Sequence, residues 1–162
     1  MPENGFYDSN PAKRYSIKYL DRNTRILFVD DDQEICNMVK YCFYHTIKNI
    51  HISRNFAQAV KYLKKHSVDI IITDINLPGK DGFELVEWIK GKENLSGIPI
   101  VMITGVMLDK NSVIKSKKMG VDRFIAKPFD ISRLVKDVDM ALGPKYKKKS
   151  LETYELDEKT LY

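Results

Sequence analysis

Cysteine is scarce in these 162 residues: there are two, Cys36 and Cys42. Both fall on one predicted helix, six positions apart and so about 9 Å along its axis. They face different sides and cannot bridge each other, which makes a reducing, cytoplasmic location the default expectation. Histidine is nearly as rare. None of His45, His51 and His66 stands at the carboxyl end of a predicted strand, so the usual ligands of a transition-metal site are missing. Long apolar runs are absent too. The longest stretch free of charge, Asn94–Leu108, contains Gly97, Pro99 and Gly105 and is too short to span a bilayer. The N-terminus has no apolar signal core, and no internal repeat is visible. Nor is charge of one sign concentrated. Residues 26–142 carry 17 basic and 15 acidic groups, a surplus of 17 − 15 = 2 within a whole-chain charge of +5. The basic tract Lys145-Tyr146-Lys147-Lys148-Lys149 reads as a solvated tail rather than a nucleic-acid or membrane contact.

What remains suits one soluble domain with a real core, since 43% of the chain is hydrophobic and 30% charged. Residues 1–24 mix Pro, Asn, Gly, Tyr and scattered basic groups without a sustained period. They read as a flexible N-terminal extension, with at most one helical turn around Tyr15–Leu20. The domain spans 25–143, and 144–162 form a basic then acidic tail. No room remains after Gly143 for a further folded output domain, so the reading is a domain acting alone or a fragment of a longer chain.

Five short strands alternate with helices. Arg25-Ile26-Leu27-Phe28-Val29 is a buried strand that runs into Asp30-Asp31-Asp32. Asp32 is placed to cap a helix whose apolar stripe is Ile35, Met38, Val39, Cys42 and Phe43. Ile50–Ser53 is a weak second strand, followed by a helix marked by Ala57, Val60 and Leu63. Ile70–Thr73 is a β-branched run that ends on Asp74, and Pro78-Gly79 turns the chain out of it at once. A helix with Phe83, Val86 and Ile89 follows. Ile98–Ile103 forms a fourth strand and delivers Thr104-Gly105. Residues 109–119 make a weakly amphipathic helix around Val113, Ile114 and Met119. Arg123–Ala126 is the fifth strand, closed by Lys127-Pro128. The last helix carries Ile131, Leu134, Val135, Val138, Ala141 and Leu142, with Gly143-Pro144 as stop signals.

This alternation predicts an α/β fold: a doubly wound, five-stranded parallel sheet with right-handed crossovers. Strand order 2-1-3-4-5 sets strands 1, 3, 4 and 5 side by side. Their carboxyl ends, where such sheets bind ligands, then carry Asp30-Asp31, Asp74, Thr104 and Lys127. Three crowded carboxylates repel unless a cation sits among them. Oxygen donors without Cys or His favour a hard ion, Mg²⁺ or Mn²⁺. A carboxylate can also attack phosphorus to give an acyl phosphate. An ammonium from Lys127 and a hydroxyl from Thr104 would then meet the phosphoryl oxygens.

The quartet Val29-Asp30-Asp31, Asp74-Ile75-Asn76-Leu77-Pro78, Ile103-Thr104-Gly105 and Lys127-Pro128-Phe129 resembles the receiver domain of two-component response regulators, the CheY-like superfamily with its flavodoxin-like fold. The resemblance covers Thr24 to Gly143. Each motif alone is weak; four in order at this spacing are specific. The resemblance implies that Asp74 accepts a phosphoryl group from a histidine kinase or phosphotransfer protein. It implies that Asp30 and Asp31 hold Mg²⁺, Asp31 more directly, together with Asp74 and the backbone carbonyl of Asn76. Thr104 would bond the phosphoryl group and Lys127 would pair with it. Phe124 stands at the switch aromatic, and the Lys127–Pro128 bond would be cis. The poor apolar stripe of residues 107–119 makes helix 4 the easiest to shift, so a downstream protein partner is expected on the face of helix 4, strand 5 and helix 5, around Lys118, Arg123 and Lys136, with a dimer on phosphorylation allowed. Enzymatic activity would be confined to the domain's own phosphoryl transfer and dephosphorylation.

Two other classes compete. A haloacid dehalogenase-type phosphatase or phosphotransferase also uses Asp, Thr, Lys and Mg²⁺, and Asp30-Asp31-Asp32-Gln33 superficially offers its first-strand aspartates. That family wants Thr or Val where Glu34 stands. It also wants a further acidic pair after the lysine, whereas Asp130, Asp137 and Asp139 fall on the last helix. The third reading is a receiver-like interaction module that never takes phosphate.

Overall fold

The computed structural model describes residues 16–44, 47–105 and 109–144. Strands β1 (Arg25–Val29), β2 (Asn49–Ser53), β3 (Ile70–Asp74), β4 (Ile100–Thr104) and β5 (Arg123–Ala126) form one parallel sheet in the order β2-β1-β3-β4-β5. Helices α1 (Gln33–Tyr44), α2 (Phe56–Leu63), α3 (Gly82–Lys90) and α4 (Lys110–Lys118) connect them, and α5 follows over residues 131–144. The fold class is the one expected from the alternation of elements, and the strand order is the one that right-handed crossovers and the receiver resemblance together imply.

Period-two alternation divides the central strands between two cores. Ile26, Phe28, Ile70, Ile72, Val101 and Ile103 face a layer filled by Cys36, Val39 and Phe43 of α1 and by Leu134, Val135, Val138, Ala141 and Leu142 of α5. Leu27, Val29, Ile71, Ile100 and Met102 face the other layer, with Ala59 and Leu63 of α2 and Leu85, Val86 and Ile89 of α3. Burial on both faces is why these strands read as unbroken apolar runs. The register pairs Val29 with Thr73, Asp74 with Ile103, and Thr104 with Ala126. The residues just past β1 and β4 therefore flank the end of β3, and Lys127 follows Ala126 at the same edge.

Capping aspartates set the helix starts. Asp32 Oδ1 accepts from the N–H groups of Glu34 at 2.9 Å and Ile35 at 3.2 Å, as expected of an N-cap. Asp81 and Glu84 form a capping box on α3, and Asp109 caps α4. Gly82 opens α3 against the end of β3, where an added Cβ would stand 2.2 Å from the Asp74 carbonyl oxygen. Only glycine permits that approach.

Four expectations change. Order does not begin at Arg25. Ile17 and Leu20 are buried in the α1–α5 core, and the Asp139 carboxylate on α5 accepts from the backbone N–H groups of Lys18, Tyr19 and Leu20 at 3.0, 2.6 and 2.7 Å. Residues 16–20 form turns and bends, not a helical turn. They pack because of a carboxylate some 120 positions away, which no local pattern announces. In α2, Ala57 is exposed and Ala59 takes the buried position, one turn before Leu63. In α4, Ile114 is 51% exposed, while Ser116 is buried and its hydroxyl donates to the Ser112 carbonyl at 2.6 Å. Finally, Gly143-Pro144 does not stop α5 early, since residues 143 and 144 are still helical. Gly143 serves packing instead: a Cβ there would lie 3.0 Å from the Tyr19 ring. Residues 1–15 and 145–162 of the extension and tail lie outside the described residues.

Candidate phosphoryl-acceptor site

Three strand ends bring Asp30, Asp31, Asp74 and Lys127 together. One carboxylate oxygen from each aspartate lies within 4.8 Å of the other two. Asp30 and Asp74 are buried, and Asp31 is exposed at the rim. Lys127 Nζ donates to Asp74 Oδ2 at 2.9 Å and lies 3.1 Å from Asp30 Oδ2. The second contact is an ion pair without hydrogen-bond direction, so Asp30 Oδ2 is buried with no hydrogen-bond partner. The other oxygens take backbone N–H groups: Asp32 to Asp30 Oδ1 at 2.9 Å, and Asn76 to Asp74 Oδ1 at 3.3 Å.

The electrostatics follow from this crowding. Burial pushes the Asp30 carboxyl above its usual value, and the Asp74 charge adds to the rise. The Asp32 N–H and Lys127 oppose it without cancelling it. For Lys127, burial pulls the ammonium down, but its contacts with Asp74 and Asp30 outweigh that and leave it raised. Lys127 is therefore charged throughout the physiological range. With all three carboxylates ionised the cluster carries −3 + 1 = −2. An all-oxygen donor set, an orphaned buried carboxylate oxygen and a deficit of two positive charges fit a hard divalent cation.

The remaining predicted residues sit around this centre. Thr104 is buried at the end of β4, and its carbonyl accepts from the Lys127 N–H at 2.7 Å. Phe124 is half-buried against the core layer that contains Met102 and pairs with Met102 across β4–β5. Thr104 lies two residues past Met102, so it shares the sheet face of Phe124. Asn76 is exposed beyond β3. The Lys127–Pro128 bond is cis, the isomer the resemblance implies. Beside Lys127 opens a cleft of about 540 Å³ lined by Glu34, Ile35, Met38, Pro128 and Phe129.

On the surface expected to meet a partner, Lys118 and Lys136 are exposed. Arg123 is not simply presented there: its Nε donates to Asp137 Oδ1 at 2.6 Å, and Arg133 takes the other oxygen. It ties β5 to α5.

Sequence reasoning missed Arg54. It follows β2, whose carboxyl end, Ser53-Arg54-Asn55, carries no carboxylate. Its guanidinium donates to the Asp31 carbonyl and to Gln33 Oε1. The available signal was a basic residue at the fifth strand end of the same edge.

A family model for the response regulator receiver domain matches residues 26–139. The chain belongs to that family. It is 31% identical over 121 residues to chemotaxis protein CheY-3 of Vibrio cholerae, covering 74% of this chain and 92% of that one. It is 31% identical over 118 residues to regulatory protein VirG of Agrobacterium tumefaciens, covering 72% of this chain and 43% of that longer protein. Among solved structures, a CheY-like receiver domain protein from Methanospirillum hungatei superposes with a TM-score of 0.71 at 25% identity, over 78% of this chain and 98% of that one. As a receiver domain of two-component systems, this chain falls outside the haloacid dehalogenase alternative. The aspartates that alternative would need after the lysine are engaged elsewhere. Asp130 caps α5, Asp137 holds two arginines, and Asp139 holds residues 18–20. No helix among the described residues is long and apolar enough to cross a membrane.

Proposed function

We propose that this receiver accepts a phosphoryl group on Asp74 from a phosphohistidine of a histidine kinase or phosphotransfer protein, in the cytoplasm. Asp30, Asp31 and Asp74, with the backbone carbonyl of Asn76, would hold Mg²⁺, and Mn²⁺ meets the same donors. The observation that carries the reading is the Lys127 ammonium set between Asp30 and Asp74 at the carboxyl edge of the sheet.

An Asp74 carboxylate oxygen attacks phosphorus, the phosphorus–nitrogen bond of the donor breaks, and its electron pair stays on the imidazole. Lys127, already on Asp74, swings its ammonium to an oxygen of the transferred group. The Thr104 hydroxyl donates to another. A divalent cation held by Asp30, Asp31 and Asp74 would supply positive charge to offset the charge of the transferred group. Asp30, with one oxygen lacking a hydrogen bond, would gain a partner from that cation. The cleft beside Lys127 gives the donor an approach over Pro128 and Phe129.

The signal leaves through the other side of β4. As Thr104 moves towards the phosphoryl group it vacates space on the sheet face it shares with Phe124, which turns inward. α4 packs inwards with Ser116 and half-buried Val113 and Met119, so little apolar burial opposes its displacement. The face of α4, β5 and α5, with Lys118 and Lys136, is where a downstream partner or a second copy would read the change. The two conformers pre-exist, and phosphorylation shifts their populations.

Incubation with acetyl phosphate and Mg²⁺ tests this. One acid-stable, base-labile phosphoryl group per chain is expected, lost with chelator and in Asp74→Asn. Undiminished labelling of that variant contradicts the assignment.

A further inference from the structure

Arg54 has no part in the reading above. It follows β2 directly, and its backbone N–H donates to Gln58 Oε1 at 2.8 Å, in the first turn of α2. Its guanidinium crosses the carboxyl edge. One arm donates to the Asp31 carbonyl and another to Gln33 Oε1. The Gln33 amide donates in turn to Asn37 Oδ1 at 2.8 Å, one turn along α1. The neighbouring residue is gripped from the same strand, since the Asp30 N–H donates to the Ser53 carbonyl at 3.1 Å.

The Asp31 carboxylate is the exposed member of the acidic triad, and among the described residues no hydrogen bond to its side chain holds it in place. Its direction is set through the backbone, which two side chains hold from outside the loop: Cys36 Sγ donates to the Asp30 carbonyl at 3.2 Å, and Arg54 donates to the Asp31 carbonyl, next to the carboxylate itself. A planar guanidinium can bridge two acceptors in different elements, whereas an ammonium is a single point charge.

We propose that Arg54 is a positioning residue. By bridging the Asp31 carbonyl to Gln33 it orders the loop so that the Asp31 carboxylate meets the cation alongside Asp30 and Asp74. This rests on the divalent-cation reading above. Two effects oppose each other. Ordering Asp31 strengthens cation binding, while a positive charge beside the site weakens it. Arg54 is only half-buried, so solvent and salt screen its charge. Partners behind metal ligands typically carry 10–100-fold in affinity when they are removed. The proposal requires ordering to outweigh repulsion, so the sign of the change in affinity decides it.

Calorimetric titration of the full chain with Mg²⁺ tests it, alongside thermal melts in chelator. Arg54→Ala is expected to weaken Mg²⁺ binding about tenfold with an unchanged melting temperature in chelator. Arg54→Lys keeps the charge but not the fork and is expected to weaken binding as well. Gln33→Ala removes one anchor and is expected to act in the same direction, less strongly. Tighter binding by Arg54→Ala with parental binding by Arg54→Lys would mean that Arg54 acts by charge alone, which overturns the proposal. So would unaltered affinity with a lower melting temperature in chelator, the mark of a structural role. If the parent chain takes up no Mg²⁺, the cation reading itself fails and the role of Arg54 falls with it.

Discussion

Two buried aspartates of this domain are held in opposite ways. Asp139, on α5, gives its carboxylate to three backbone N–H groups of residues 18–20. Asp30, past the end of β1, is wholly buried with one oxygen lacking any hydrogen bond and a second carboxylate beside it. Charge-assisted bonds to backbone N–H groups are among the stronger hydrogen bonds, so the fold gives the Asp139 carboxylate partners in place of water. It penalises an ionised Asp30. The same side chain is a fastening at one place and a crowded carboxylate short of donors at the other. The local supply of donors decides which.

The largest effect should come from breaking the fastening. Asp139→Ala leaves three N–H groups of residues 18–20 without their acceptor, and each buried orphan costs roughly 1–3 kcal/mol. Some of them reach water once the segment loosens, so a loss of about 3 kcal/mol in urea unfolding is expected. Mg²⁺ affinity should not change. A variant with parental stability would show that residues 16–24 contribute nothing to the domain.

Next in size is the response to metal. Mg²⁺ at a hundred times its dissociation constant should stabilise the parent by about 2.7 kcal/mol through mass action. The Asp139 variant should show the same increment and Asp30→Asn little of it. Thermal melts that do not move between chelator and millimolar Mg²⁺ would remove the contrast between the two aspartates.

The smallest effect concerns Asp30 without metal. Its carboxyl is raised on folding, by burial first and by Asp74 second. A raised carboxyl favours the folded state while protonated. The penalty appears as pH climbs past the ordinary value and is complete above the raised one. Asp30→Asn removes that penalty. In chelator, the variant should match the parent in strong acid and exceed it at neutral pH by on the order of 1 kcal/mol, the size of a typical single substitution. A less stable variant at neutral pH would mean that the Lys127 contact outweighs desolvation and repulsion.

These contrasts also separate what could be read in the sequence from what could not. The strands were legible because burial on both faces leaves unbroken β-branched runs such as Ile70–Ile72, whereas right-handed crossovers only narrowed their order and the receiver resemblance completed it. The acidic cluster and Lys127 were legible because strand ends in such a sheet converge on one edge. Asp32 as a cap followed from its place before an amphipathic stripe. The contacts that escaped are those made across long separations by residues without a pattern. Ile17 and Leu20 pack because Asp139 binds the backbone between and beside them. Gly143 looked like a stop signal but makes room for the Tyr19 ring. Arg54 sits after the weakest strand, and its partners are a carbonyl and an amide, which carry no charge signature. Arg123 read as a surface cation, yet it completes an ion pair with Asp137.

Everything proposed for this site turns on Asp74, not its neighbours, carrying the phosphoryl group. Borohydride reduces an aspartyl phosphate to homoserine, which marks the residue permanently for peptide mass spectrometry. After treatment with acetyl phosphate and Mg²⁺, homoserine is expected at position 74 and none at 30 or 31. Homoserine at position 30, or no incorporation in the parent chain with Mg²⁺ present, would contradict it.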